Sequence, residues 1–433
     1  DYKKDMSQFE AQPGIDVLYK KNETNDIFTL IYVFNTGTEN DPALNLAFNY
    51  LSYLGTDKMT AEEIASEMYD IACSFYMNAG ANQSSIQITG LSENMGKAME
   101  IVEGLIAGAK PDEAILENLK GDMLKSRADA KLNQSRCFGA LQRYLFYGGD
   151  FIRRTTLTDP ALQALTSEQL LAKIGGLMGK QHEVLYYGPQ KETEIKSALA
   201  EHHKVAADLQ PLEKKFSALL PTDANKVVLA QYDAKQLYYL QFSNRGEKFD
   251  VAADPEITLY NEYFGGGMNT IVFQEMREAR GLAYSAWATL ATPSNANGDY
   301  SYYAFIATQN DKMQKAVEAF DDIINNMPES EKAFSIAKEA LISRLRTERT
   351  VKDGVLWSYI RMRDLGLTEP RGKQIFEKAQ QMTLADVKAA QEKWVKGRKY
   401  VYGILGDIQD LDLNYLKTLG PIQTVTQEEI FGY

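Results

Sequence analysis

Histidine is scarce in this chain. There are three in 433 residues: His182, His202 and His203. Glu201 precedes the adjacent pair instead of lying between two spaced ligands, and His182 opens an apolar segment, so no metal is expected on this chain alone. Cysteine is rarer still. Cys73 and Cys137 lie in apolar or helical surroundings without metal spacing and read as free buried thiols, which leaves the compartment open. Positive charge is not in excess: 47 Lys and Arg face 59 Asp and Glu, a net charge of −12. That argues against nucleic-acid binding, which calls for a basic face against phosphate. No apolar run reaches the ~18 residues of a membrane span. The charged opening Asp1–Asp5 is not followed by the apolar core of a signal peptide. The chain begins at Asp1, with Met6 its first methionine, which raises the expectation of a half cut from, or made within, a longer polypeptide.

What is present is ample for folding. Hydrophobic residues make up 44% and charged residues 24%, the balance of a globular protein with several cores. Gly14–Tyr19 and Ile27–Phe34 are β-rich and are expected to pair as a hairpin across KNETND. Pro42–Leu54 has helical spacing, and Thr60 with Glu63 forms a capping-box pattern opening a second helix to Ile71. Ser74–Asn78 and Ser84–Gly90 alternate as strands. Met95–Ala107, Glu113–Gly148 and Leu165–Ile174 read as helices, and His182–Gly188 as a closing strand. Pro189–Thr222 reads as a linker with one helix. The pattern then restarts, with strands at Val227–Asp233, Leu237–Asn244, Tyr284–Ala291, Tyr300–Gln309 and Tyr400–Gly406. Helices are expected at Ile257–Phe264, Met268–Ala279, Lys312–Asn326, Glu331–Gly366 and Thr383–Val395.

One constant shift along the chain superimposes the two halves. Lys97-Ala98 falls on Lys315-Ala316, Glu113 on Glu331, Lys120 on Lys338, Arg143 on Arg361, Gly148 on Gly366 and Gly188 on Gly406. An unchanged register over so long a stretch implies a tandem duplication. The expected fold class is α+β: two tandemly duplicated domains, each a mostly antiparallel sheet with helices packed on one face. Residues 1–205 form the first repeat, 206–225 a linker and 226–433 the second repeat.

One stretch organises the second repeat. Phe264–Tyr284 reads FGGGMNTIVFQEMREARGLAY: three glycines, an amphipathic segment, a glycine stop at Gly281 and the start of a strand. Arg277 and Tyr284 are thereby held near one point by regular elements. Two readings stand for them. They hold a substrate, or Arg277 pairs with Glu278 or Glu275 on the surface while Tyr284 packs in a sheet. Gly265, Gly266 and Gly267 read, from the residues alone, as a flexible turn before a helix. No Lys-Ser/Thr follows these glycines, so they are not a phosphate loop. Ser84–Gly90 or Tyr300–Gln309 could take up a peptide as an exposed edge strand. The aromatic run at Tyr300, Tyr302, Tyr303 and Phe305 reads as core and surface alternation.

GGGMNTIVFQEMREARGLAYSA resembles the segment of the insulinase/pitrilysin-type zinc peptidases, the family of the mitochondrial processing peptidases and respiratory core proteins. Phe273, Gln274, Glu275, Arg277, Glu278, Gly281, Leu282, Ala283 and Tyr284 stand where that pattern has them. The family cuts peptides with zinc held by H-x-x-E-H and a distant Glu. Here that motif is absent. Anchored on Gly55–Thr56, its positions fall on Leu46, Asn49 and Tyr50. The resemblance therefore implies the non-catalytic half or subunit of a zinc metalloendopeptidase. Arg277, Tyr284 and the loop Gly265–Gly267 would bind substrate, with no catalytic or metal residue in this chain and zinc in the partner half. The implied partners are a zinc-bearing homologous half, in the same polypeptide or as a separate subunit, closing a clamshell chamber, and a peptide. The alternative is a core-type scaffold subunit without a peptidase role.

Overall fold

A computed structural model of the chain describes residues 2–433. Twelve strands lie in two six-stranded sheets among the described residues. The first sheet holds β1 (Ser7–Gln12), β2 (Ile15–Lys21), β3 (Ile27–Phe34), β4 (Cys73–Ala79), β5 (Ser84–Leu91) and β6 (His182–Gly188), in the order β1-β2-β6-β3-β5-β4. The second holds β7 (Lys226–Gln231), β8 (Gln236–Ser243), β9 (Ser285–Ala291), β10 (Ser301–Gln309), β11 (Val401–Gly406) and β12 (Ile422–Val425), in the order β12-β7-β11-β8-β10-β9. Five strands of each sheet match in order and direction. The sixth differs in origin. β1 precedes its neighbour β2 in the chain and runs antiparallel to it, whereas β12 comes from the far C-terminal end and runs parallel to β7. These are two duplicated α+β domains with mixed, mostly antiparallel sheets.

The expected hairpin between β2 and β3 does not form. β6 lies between them, parallel to β2 and antiparallel to β3. Its Val184, Leu185 and Tyr186 are all fully buried, so β6 needs strand partners on both sides. The connection from Asn22 to Asp26 crosses the two strand spacings, roughly 10 Å, that this leaves. Asn22 organises the crossing. Its backbone N–H donates to Gly188 O (2.7 Å), and its carboxamide donates to Ile27 O (2.9 Å) while accepting from Thr24 N (3.0 Å).

Each repeat lays its own helices on one face of its sheet. Leu44–Leu51, Ala61–Asp70 and Met95–Gly108 cover the first, with Thr60 and Glu63 closing a capping box. Asp254–Phe264 and Met313–Asn325 occupy the same places on the second. The other face of each sheet takes a helix from the opposite repeat. Gln134–Thr155 presents Cys137, Phe138, Leu141 and Leu145 to Val228, Leu240, Val401 and Leu405 of the second sheet. Gly354–Asp364 presents Leu356 and Ile360 to Leu18, Ile31, Val33 and Leu185 of the first. Gly403 makes room for this packing, since a Cβ there would lie 2.3 Å from Leu145 Cδ1.

This exchange explains why two long helices read from the sequence are each broken. Glu113–Gly148 is divided at Asn133, whose side chain caps the second helix by accepting from Arg136 N (3.0 Å). Glu331–Gly366 is divided between Thr347 and Gly354, where Lys352 has φ 55°. The apolar period runs on through both breaks because each continuation is also half-buried, against the other sheet. Gly148 and Gly366, which match in the repeat register, share positive φ angles of 83° and 69°. Side chains of the two repeats also join directly: Arg363 donates two bonds to Glu183 (2.6 and 2.7 Å). Residues 204–225 contain no helix or strand, and Lys214 in this stretch pairs with Asp364 (2.6 Å).

Leu141→Ala removes a fully buried side chain from an exchanged helix and is expected to cost about 3 kcal/mol of stability. Urea denaturation followed by tryptophan fluorescence measures this. A loss below ~1 kcal/mol would mean that the exchanged helix contributes little.

Candidate functional site

The segment expected to hold substrate begins with a backbone lock. Gly265 is buried, and a Cβ on it would lie 2.0 Å from Ala288 O. This approach lets Gly265 O accept from Ala288 N (3.1 Å) on the outer edge of β9. Asn261 continues the lock one step along the strand: its carboxamide donates to Leu290 O and accepts from Leu290 N, both at 2.9 Å. An amide side chain thus stands in for a strand neighbour. Gly266 and Gly267 are exposed, and a Cβ on Gly267 would meet nothing within 4 Å. Thr270 ties the loop down by donating N–H (3.0 Å) and hydroxyl (2.6 Å) to Gly267 O.

The helix starts later than its apolar spacing indicates. Met268 is 72% exposed and lies before it. Ile271–Phe273 is α-helical, and Gln274–Ala279 continues with the wider π spacing. Gly281, at φ 60°, turns the chain back. Leu282 N then bonds Met276 O (2.9 Å), and Leu282 O accepts from the Thr308 hydroxyl (2.5 Å). Tyr284 N reaches Ala307 O (2.8 Å). Both ends of this turn are therefore fixed to β10.

Arg277 lies on the π-helical turn with its side chain half-exposed. The guanidinium carbon is 5.1 Å from the Phe273 ring centroid, and Nε is 3.8 Å from Glu278 Oε1. Glu275 is engaged elsewhere, by Arg280 at 3.5 Å, which also reaches Asp322 at 3.2 Å. Tyr284 is 55% exposed, just ahead of β9. Its hydroxyl oxygen accepts from Gln309 Nε2 (2.9 Å), which leaves the phenolic hydrogen available to another acceptor. Tyr284 borders a recess of about 570 Å³ shared with Lys235, Gln236, Gln309, Asn310, Asp311 and Asp410. Arg277 is not part of that lining. The Gly265 loop, Tyr284 and β9 form one connected unit, and Arg277 is attached to it through the intervening helix. Gln309 and Asn261 carry much of this arrangement. Each bonds to a partner well removed along the chain, Tyr284 and Leu290 respectively, and nothing local in the sequence marks them.

Two sequence expectations change here. β5 and β10, considered as exposed edges, are interior strands; the edges on that side are β4 and β9. β9 is further blunted by Gly265 and Asn261. Of the aromatic run, Tyr300 and Tyr302 enter the core, while Tyr303 and Phe305 stand on the opposite face with Trp287 and with Phe138 or Phe146 from the exchanged helix.

The positions where a zinc motif would fall do not suit a metal. Leu46 and Tyr50 are buried in the first core. The Tyr50 hydroxyl is already bonded to Ser167 Oγ (2.8 Å) and Asp112 N (2.9 Å). Among the described residues, no group of three or more His, Cys, Asp or Glu side chains is arranged to hold a metal ion.

The family model described as the peptidase M16 inactive domain matches residues 181–341, which include the whole Gly265–Tyr284 segment. Within those residues the chain is similar to the inactive domain of the M16, pitrilysin-type peptidases. An uncharacterized zinc protease of Streptomyces coelicolor is 23% identical over 266 residues, 57% of this chain and 56% of that protein. The match thus spans little more than half the length of this relative. The fold is similar to the crystal structure of a peptidase M16 inactive domain from Pseudomonas fluorescens, with a TM-score of 0.72, 18% identity and coverage of 93% of this chain and 98% of that one. It is also similar to part of the periplasmic protease PqqL from Escherichia coli, with a TM-score of 0.72 and 14% identity, covering 93% of this chain but 46% of that one. Among the described residues, no helix is long and apolar enough to cross a membrane.

Gly265→Ala forces a methyl group onto the Ala288 carbonyl and is expected to cost about 1–3 kcal/mol, with lowered hydrogen-exchange protection at Ala288. Gly267→Ala meets open space and should leave both nearly unchanged. Equal effects of the two substitutions would show that the close approach is not what requires glycine at position 265.

Proposed function

We propose that this chain is the substrate-holding half of a zinc metalloendopeptidase. It works opposite a homologous half that carries H-x-x-E-H, within one polypeptide or as a separate subunit. The observation that carries the reading is Tyr284: a half-exposed phenol, held by its neighbours, with its hydroxyl oriented by Gln309 at the rim of an open recess. A tyrosine filling a sheet would be buried and would not need this support.

The chemistry follows from the groups. Attack of water on a peptide carbonyl builds negative charge on its oxygen. A Tyr O–H and a guanidinium placed where that charge develops stabilise it without further reorganisation. Arg277 offers a planar fork of donors to successive backbone carbonyls, which suits an extended peptide. Its link to Glu278 is loose and exposed, so exchanging it for a substrate contact costs little. The zinc, the general base and the nucleophilic water belong to the partner half. The resemblance to slightly under half of a longer periplasmic protease supports a chain that supplies one side of a chamber.

The test is kinetic, on the assembled enzyme. Arg277→Ala and Tyr284→Phe are each expected to lower kcat/KM by about 10- to 100-fold, with circular dichroism and Tm close to wild type. Gln309→Ala should produce a smaller loss, because Tyr284 remains but its hydroxyl is no longer held. Wild-type turnover in both Arg277→Ala and Tyr284→Phe would overturn the proposal and leave a scaffold role.

A further inference from the structure

The fold brings two of the three histidines face to face. His182 opens β6, and His203 follows the helix Glu192–His202; their Nε2 atoms are 2.8 Å apart. The other ring nitrogen of His182, Nδ1, lies 2.7 Å from Lys180 O. That of His203 is bonded to the Glu103 carboxyl, from the helix Met95–Gly108. All three side chains are at least nine-tenths buried. The Tyr32 ring covers His203 at 4.1 Å between centroids, and the Phe34 ring covers His182 at 4.6 Å.

The protons of this chain of groups can be counted. A carbonyl only accepts, so His182 Nδ1 carries hydrogen. An ionised Glu103 also only accepts, so His203 Nδ1 would carry hydrogen too. With both rings neutral, neither Nε2 would have one, and two lone pairs would face each other at hydrogen-bond distance in a dry interior. The geometry therefore requires one proton beyond those of a carboxylate and two neutral imidazoles. Either His203 is an imidazolium beside ionised Glu103, or protonated Glu103 donates to His203 Nδ1 while His203 Nε2–H donates to His182. The two forms differ by one proton transfer, and both are neutral overall. In both, His182 stays uncharged. Burial and the neighbouring His203 hold it well below the ordinary histidine range, at about 4.

This unit sits where the chain leaves the first sheet. Beside His182, Gln181 N donates to Gln210 O (2.8 Å), and Gln210 N donates to Gly179 O (2.9 Å). Residues 204–210 are thus pinned between His203 at one end and the flank of β6 at the other. We propose that Glu103, His203 and His182 form a proton-locked clasp that holds the segment 204–210, at the junction of the two halves, and loosens it as the shared proton is lost.

The surrounding charges do not replace that proton. From the helix Met95–Gly108 comes Glu100, 3.9 Å from His202 Nδ1; from the helix Glu192–His202 comes Glu201, 3.8 Å from His202 Nε2. Both carboxylates are mostly exposed and screened by water. β3 contributes the buried phenol of Tyr32, which burial and Glu103 keep protonated. Lys180 and Lys204 flank the segment at its two ends. Glu103 is the one buried countercharge.

The sign of the pH dependence follows from the proton count. In the unfolded chain the carboxyl titrates near about 4.3 and each histidine near about 6.5. At about pH 6.5 the two unfolded histidines share one proton on average, the same number as the clasp. Above that pH the folded state holds more protons than the unfolded state, so stability falls as pH rises, approaching ~10-fold in the folding constant per pH unit. Below it the unfolded state binds the second proton, and the contribution falls again.

Glu103→Gln in the full chain separates the proton from the bonds. A carboxamide N–H donates to His203 Nδ1 permanently, His203 then carries hydrogen on Nε2, and every bond is made without an extra proton. The ratio of wild-type to Glu103→Gln folding constants, from urea denaturation, is expected to fall about 10-fold per pH unit between about pH 7.5 and 9. Tryptic cleavage at Lys204 should accelerate over the same range in wild type relative to the variant. A flat ratio, or equal cleavage, overturns the proposal. Should Glu103→Gln fail to fold, nitrogen-15 NMR of the wild-type imidazoles at pH 7 decides. A proton shared between the two Nε2 atoms supports the clasp, and two neutral Nδ1–H rings overturn it. None of these readouts depends on peptidase activity or on a partner half.

Discussion

The innermost strands, β6 and β3 of the first sheet and β11 and β8 of the second, have two apolar faces. In β6, Val184 and Tyr186 face the helices of their own repeat while Leu185 faces the other way, and all three are fully buried. A sheet with one such face can leave the other in water; a sheet with two cannot. Each repeat contains helices enough to cover one face, so the second must be covered from outside. The duplication provides the cover reciprocally. Gln134–Thr155 crosses to the second sheet and Gly354–Asp364 to the first. The halves cannot separate without exposing both patches.

That packing bears on what the chain can present. The Gly265–Tyr284 segment is not a free loop. It is fixed to the edge of β9 through Gly265 and Asn261, and to β10 through Leu282 and Tyr284. In the proposed role this matters, because donors that hold a peptide are effective only when their positions are set before the substrate arrives. The side of the molecule where a zinc motif would lie has gone the opposite way. Leu46 and Tyr50 are part of the core, and the Tyr50 hydroxyl bonds to Ser167 and Asp112. Of the three positions where a zinc motif would fall, two are buried in this helix.

The structure departs from a reading of the sequence where neighbours in space are distant along the chain. A β2–β3 hairpin is a sound inference from two β-rich runs and a polar turn, but nothing local anticipates β6, from the far end of the repeat, between them. The long helices read continuously through their breaks because a half-buried period looks the same against either sheet. Gln309 and Asn261 orient the candidate site and have no local signature. His182 and His203 carry no separate signal, one at the start of a strand and one in a lysine-rich stretch. Only a fold that returns the end of a helix to β6 places their Nε2 atoms 2.8 Å apart.

Residue identity is enough to establish what this chain contains. A constant register, carried by lysines, glutamates and glycines at helix ends, establishes the duplication and hence the α+β plan. The run from Gly265 to Tyr284 carries the family resemblance, because glycine spacing and the F-Q-E-x-R-E pattern are properties of residue identity. The lack of any H-x-x-E-H is legible in the same way. Long-range packing settled the rest: which strand is an edge, which helix covers which sheet, what holds the Tyr284 hydroxyl and how three buried titratable groups share a proton. In that packing apolar surface is buried against whatever segment the topology brings to it, and periodicity records that a face is buried without recording by what.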